Sequence, residues 1–142
     1  MTDAMRRYLN LAIGVVLAGV FIYAGVDKLR DPLQFADSVA AFRMLPYALV
    51  TPMAIGLPVL EVLTALMLLA PQSRRIGALA VVLMTAMFLA ALGTALARGL
   101  TLDCGCFGAG APSRPRMWAE LGLDLVLLAS SLFLYRGLRD GR

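Results

Sequence analysis

The chain of 142 residues contains no histidine and only two cysteines. Without histidine there is no imidazole ligand for zinc, haem or copper, and no general base that titrates near neutral pH. Any histidine-based catalytic triad is excluded for the same reason. The net charge of +4 is modest and the arginines lie between apolar runs, so the sequence carries no nucleic-acid footprint. Chemistry must therefore depend on two thiols and on carboxylates within apolar segments.

Apolar residues dominate what is present. They make up 61% of the chain, whose mean hydropathy is +0.82, whereas soluble domains are about 45–50% apolar. Four runs, at about 9–26, 49–70, 76–97 and 117–135, are each close to the ~20 helical residues that cross a bilayer. Backbone polar groups in lipid need partners within their own segment, so these runs predict helices. We predict an all-α integral membrane four-helix bundle that forms one domain over residues 1–142.

A short amphipathic helix is predicted between the first two spans. Asp31-Pro32 can begin it, because proline is tolerated at the first helical position. Apolar side chains then recur at helical spacing, so this helix lies on the membrane surface or caps the bundle. The residues that form this stripe are Phe35, Val39, Phe42 and Leu45.

The distribution of basic residues predicts the orientation in the membrane by a small difference in number. The first run follows Arg6 and Arg7 without a clean Ala-x-Ala site, so we interpret it as an uncleaved span rather than a secretory signal. With the N-terminus inside, the inner segments hold seven basic residues and the outer segments six. The outer side also mixes in four aspartates. We predict cytoplasmic N- and C-termini, with the loop that carries the cysteines on the outer side.

Residues 98–116 are rich in glycine, proline and serine and are predicted to form a loop. This loop holds both thiols, Cys104 and Cys106, separated by Gly105. A disulfide across one residue is strained and adds little stability through chain entropy, and strained disulfides tend to be catalytic. Arg98 favours a thiolate in this loop, whereas Asp103 opposes it. The spacing therefore favours thiol–disulfide exchange over a structural bridge.

Other functions of the cysteine pair stay open. Two soft sulfurs can hold copper(I), and the chain has eight methionines. Methionine in an apolar span is usually packing, however, and we predict no metal site. The alternatives are a soft-metal or small-molecule membrane carrier, a non-catalytic scaffold for a secreted partner, and two incidental cysteines.

Carboxylates within the spans are the second candidate feature. An ionisable residue at bilayer depth indicates function, so Glu61 is expected either to be protonated or to face a basic partner. A neutral Glu61 that makes only a packing hydrogen bond is the plainer alternative. Glu120 and Asp124 share a helix face and repel each other when both are charged. They form a proton relay, or they pair with Lys28, Arg43 or Arg116.

A mixed-charge cluster follows the first span. Its members are Asp27, Lys28, Arg30 and Asp31, and they predict a salt-bridge cluster or a site that positions a partner or a quinone head group.

Three ordered motifs carry a family resemblance. AGVDKLRDP at 24–32, LPVLE at 57–61 and RGL before DCGCFG at 98–108 resemble the MauE-type redox-associated membrane proteins, within the wider DoxX-like group. The motif order is kept over nearly the whole chain. One departure is Leu123-Asp124, where the family often has a basic residue beside the acid, so the partner of Asp124 stays unassigned.

The resemblance implies a four-helix protein of a bacterial-type inner (plasma) membrane. It would act with a thioredoxin-like protein in disulfide formation or in maturation of secreted enzymes, and for some relatives it would contact the quinone pool. It implies Cys104 and Cys106 as the redox pair, framed by Glu61 and the cluster around Lys28. We therefore predict a redox-active thiol–disulfide oxidoreductase or an accessory to one, with quinone as the one cofactor implied.

Overall fold

The structure is a computed structural model that describes residues 2–101 and 113–140. This part of the chain folds into five helices and contains no strand. They are α1 (Asp3–Arg30), α2 (Pro32–Ala41), α3 (Tyr47–Leu69), α4 (Arg74–Ala97) and α5 (Arg114–Asp140). α1, α3, α4 and α5 are each long and apolar enough to cross a membrane. The predicted fold class, an all-α membrane bundle with a short helix between its first two spans, is confirmed.

The break between α1 and α2 is encoded locally. α1 cannot continue through Pro32, because the proline ring disfavours helical geometry at the residue before it. The Asp31 carboxylate accepts a hydrogen bond from the Gln34 backbone N–H at 3.0 Å and so caps α2. A new helix therefore begins within two residues of the old one, which keeps α2 close to the end of α1.

α2 packs against the bundle, as expected for a helix that caps it. Phe35 is buried in the main core, and α2 packs against α3 and α1. The helix is shorter than the apolar stripe predicted, because it ends at Ala41, before Phe42 and Leu45. Arg43 then has a positive φ of 54°, a left-handed conformation that stops the helix.

The loop predicted at 98–116 is too long at its C-terminal end. α5 begins at Arg114, so residues 114–116 are helical. Pro115 is accommodated because the first turn of a helix needs no partner for its N–H groups. At the other end α4 closes with Gly99 at a φ of 74°, and the Leu100 N–H donates to the Ala95 carbonyl at 3.0 Å.

Two apolar clusters hold the described helices together. The larger contains Leu17, Phe21, Leu68 and Leu134 and runs through the bundle. The smaller joins α4 to the start of α5 and to the end of α2, and its residues are Leu92, Ala95, Leu96 and Met117, with Ala41, Phe42 and Leu100 packed on it. The end of the bundle marked by this smaller cluster is called the loop end below. Large apolar side chains also cover the outward faces of the spans, as a lipid environment requires.

Candidate functional site

A buried ion pair joins α1 to α3. Lys28 Nζ lies 3.1 Å from both carboxylate oxygens of Glu61. The two side chains are only 3% and 1% exposed. The ammonium also lies 5.5 Å from the centre of the Phe35 ring, which places an aromatic face from α2 over the cation. Glu61 therefore has the basic partner that its depth required, and a neutral Glu61 held only by helix packing is not what the structure shows.

The ion pair forms because α1 and α3 approach closely beside it. A Cβ atom built on Gly25 would lie 2.7 Å from Val62 Cγ2 and 2.9 Å from the Pro58 carbonyl oxygen. Glycine is thus the residue that permits this crossing, one helical turn before Lys28. This contact fixes the position of Lys28 along the helix axis relative to Glu61.

The cluster of charges predicted after the first span is divided by the fold. Lys28 turns into the bundle, whereas Arg30 and Asp31 are exposed. Asp31 caps α2, and Asp27 is half-buried on α1. Lys28 is therefore separated from Arg30 and Asp31 of the predicted cluster, because its ammonium pairs with the buried carboxylate of Glu61.

α5 supplies two more buried carboxylates. Glu120 and Asp124 are 8% and 4% exposed, and they lie on one face as their spacing predicted. Arg116, one turn earlier, places its Nε 3.4 Å from Glu120 Oε1. Three cations were predicted as partners of these carboxylates. Arg116 forms a salt bridge with Glu120, whereas Arg43 is exposed. Asp124 borders the same cavities as Lys28.

A larger cavity of about 170 Å³ opens beside this cluster of buried charges. Its walls are apolar and partly aromatic, and its polar groups are Lys28 and Asp124. The wall residues come from α2 and its exit, α3 and α4, and include Phe35, Phe42, Met53, Met87, Phe88 and Ala91. A cavity of this kind suits a mostly apolar ligand that carries a few polar atoms.

A second cavity of about 20 Å³ lies among Lys28, Glu61, Asp124 and Thr85. The Thr85 hydroxyl is buried and has no hydrogen-bond partner among the described residues. Sequence reasoning missed Thr85 and Phe88, and it named Phe35 and Phe42 only as members of the apolar stripe, not as walls of a cavity. A threonine in an apolar span is a weak signal, because its hydroxyl usually bonds to its own helix.

Cys104, Cys106 and Asp103 lie outside the described residues. The structure does describe both ends of the segment that carries them. Arg98 closes α4, and its Nη2 donates a hydrogen bond to the Phe42 carbonyl. Met117, in the first turn of α5, is fully buried in the cluster at the loop end. The segment with the thiols therefore leaves from and returns to the loop end, where the larger cavity is lined by Phe42 and Leu92.

Comparison with known proteins places most of the chain in one family. The family described as methylamine utilisation protein MauE matches residues 6–137. The chain belongs to the MauE family. It is a multi-pass membrane protein of that family, with the apolar faces of its helices suited to a lipid bilayer.

Relatives in the MauE family are similar over most of this chain. The methylamine utilization protein MauE of Paracoccus denitrificans is 35% identical over 128 residues, which cover 89% of this chain and 68% of the relative. That of Methylophilus methylotrophus is 34% identical over 129 residues, covering 90% of this chain and 63% of the relative. The chain thus spans about two thirds of the length of these relatives. No solved structure matches the chain.

Proposed function

We propose that this MauE-family protein passes reducing equivalents through Cys104 and Cys106 to or from a thioredoxin-like partner. The observation that carries the proposal is the position of the only two cysteines of the chain, one residue apart in the segment that joins α4 to α5. Both ends of that segment are anchored at the loop end, by Arg98 and Met117. The proposal requires that the thiol pair meets a partner outside the membrane, and both described ends of its segment lie at one end of the bundle.

The exchange itself conserves electrons. A thiolate of the partner attacks the Cys104–Cys106 disulfide, one cysteine leaves as a thiolate, and a mixed disulfide joins the two proteins. The second partner thiolate then attacks the mixed disulfide and releases the other cysteine. The partner gains a disulfide, and this chain gains two thiols after both leaving sulfurs take up protons. The reverse sequence reduces the partner by the same steps.

The biological setting follows from the relatives. Because they are named methylamine utilization proteins, we infer that this chain is an accessory membrane protein of methylamine utilisation. Disulfide formation in a secreted protein is the step it would serve. We propose the orientation predicted from the basic residues, with the thiol loop on the outer face of the inner membrane, where disulfides persist.

We propose a quinone as the electron carrier, and the apolar and aromatic lining of the larger cavity supports this choice. Phe35, Phe88 and Met87 would hold the ring, and Lys28 and Asp124 are the polar groups that face it. Bound quinone supplies an acceptor for two electrons and two protons, the number that a dithiol loses on becoming a disulfide. Lys28 donates its strongest hydrogen bonds to Glu61. Its main contribution to the cavity is therefore a positive potential rather than a free hydrogen-bond donor.

Redox titration of the purified chain tests the thiol proposal. In detergent, with glutathione buffers of graded potential, we expect both thiols to disappear and reappear together when they are counted by alkylation and mass spectrometry. Cys104→Ser and Cys106→Ser should each keep one thiol without the intramolecular disulfide. Copper(I) binding abolished in both variants, with no reversible disulfide in the parent, would instead support the carrier.

The quinone proposal is tested in the same preparation. Without oxygen, a short-chain quinone should oxidise the reduced cysteine pair, and Ala91→Phe should abolish that oxidation because Ala91 lines the cavity. Ala90→Phe is the matched control, since Ala90 is exposed on the neighbouring face of α4. Equal oxidation in both variants rejects the cavity as the quinone site while leaving the glutathione titration to stand on its own.

A further inference from the structure

The buried charges near the larger cavity do not balance. Lys28 is bonded to both oxygens of Glu61, and Arg116 is paired with Glu120. Asp124 is a third carboxylate, 4% exposed, and the ion pairs among the described residues give it no cation of its own. An ionised carboxylate is costly to bury without a partner, so three acids with two bases leave one negative charge in excess.

Thr85 on α4 supplies a second, independent observation. Its side chain is 1% exposed and its hydroxyl has no hydrogen-bond partner among the described residues. It lines the cavity of about 20 Å³ together with Asp124, Lys28 and Glu61. A space of roughly 10–15 Å³ is enough for a water molecule that has polar partners. The cavity thus has the size for one water and the polar groups to bind it.

We propose that this small cavity holds a single water molecule between the Thr85 hydroxyl and the Asp124 carboxyl group, and that Asp124 carries a proton. The water satisfies the buried hydroxyl, and the proton removes the excess negative charge. Asp124 then forms a proton-exchange site at the border of the larger cavity, which it also lines. This site does not depend on the cysteines or on their proposed exchange.

The surroundings of Asp124 come from all five described helices. α1 contributes the Lys28 ammonium, α3 the Glu61 carboxylate, α4 the Thr85 hydroxyl and α2 the Phe35 ring. On α5 itself, Glu120 lies one turn before Asp124. Lys28 favours an ionised Asp124, whereas both glutamates oppose it. Because the Lys28 ammonium is already hydrogen-bonded to both oxygens of Glu61, the protonated form of Asp124 is favoured over the ionised form.

Infrared spectroscopy of the full chain in detergent tests this proposal at neutral pH. The spectrum should contain the carbonyl absorption of a protonated carboxyl group, which shifts in D₂O. Asp124→Asn should lose this band, and the control Glu120→Gln should keep it. Absence of the band from the parent protein, or its persistence in Asp124→Asn, would overturn the proposal.

Two further readouts separate the proton from the water. Asparagine resembles a protonated aspartic acid, so the Asp124→Asn variant should fold, and its unfolding temperature should equal that of the parent. A failure of this variant to fold would contradict a neutral Asp124. Thr85→Val replaces the hydroxyl by a methyl group of similar size. In that variant the carboxyl band should move to the position of a group with fewer hydrogen bonds, and an unmoved band would rule out the bridging water.

Discussion

Replacing Lys28 by methionine is expected to lower the free energy of unfolding by about 3–5 kcal/mol, because it leaves a buried carboxylate without its partner. Glu61 is 1% exposed and receives two hydrogen bonds of 3.1 Å from the ammonium. Methionine has no hydrogen-bond donor that could replace these bonds. Unfolding of the parent and of the variant in the same detergent, followed by circular dichroism, measures the difference.

The double variant Lys28→Met/Glu61→Leu is the matched control. It removes both charges and fills the site with apolar side chains, so it should recover most of the stability that the single variant loses. A single-variant cost below about 1 kcal/mol would mean that the pair contributes no more than a surface salt bridge. Equal losses in the single and double variants would show that packing, not charge, is what Lys28 provides.

Substituting Gly25 by alanine is expected to cost about 1–3 kcal/mol, because the added methyl group has no room. Its Cβ atom would lie 2.7 Å from Val62 Cγ2, 2.9 Å from the Pro58 carbonyl oxygen and 3.4 Å from Glu61 Cβ. The carbonyl belongs to the backbone of α3 and cannot rotate away. The helices must therefore separate, which also pulls Glu61 from Lys28. The same unfolding measurement detects the loss.

Gly19→Ala on the same helix is the control for the change in helix propensity. Nothing lies within 4 Å of a Cβ atom built on Gly19. Alanine there should raise stability by about 0.5–1 kcal/mol, since it restricts the unfolded backbone and favours helix. If Gly25→Ala and Gly19→Ala changed stability alike, the close approach of α1 and α3 would not be what selects glycine at 25.

The helices were predictable from the sequence because each span is a long apolar run with polar residues at its ends. The apolar run at 76–97 needs no tertiary information to be recognised, and Asp31-Pro32 signals the start of α2 by itself. Helix ends were less predictable. Residues 114–116 resemble a loop in composition, yet Pro115 fits the first turn of α5.

The candidate site was predictable only in part. The spacing of Glu120 and Asp124 indicates a shared face within one helix, and the structure agrees. The partner of Glu61 could not be chosen, because Lys28 lies 33 residues away and meets it only where α1 crosses α3 at Gly25. Spacing along one helix says nothing about which of several nearby cations turns inward. Thr85 joins the cluster through α4 for the same reason.

Trapping of a mixed disulfide tests the central claim most directly. A thioredoxin-like protein with a single active-site cysteine, activated as a mixed disulfide with a chromogenic thiol, would be added to the reduced Cys104→Ser and Cys106→Ser variants in detergent. The account predicts that at least one of these variants forms a covalent complex that a reductant cleaves, while the variant lacking both cysteines forms none. If neither single-cysteine variant forms the complex, although its thiol is alkylated by a small reagent, thiol–disulfide exchange with such a partner is contradicted.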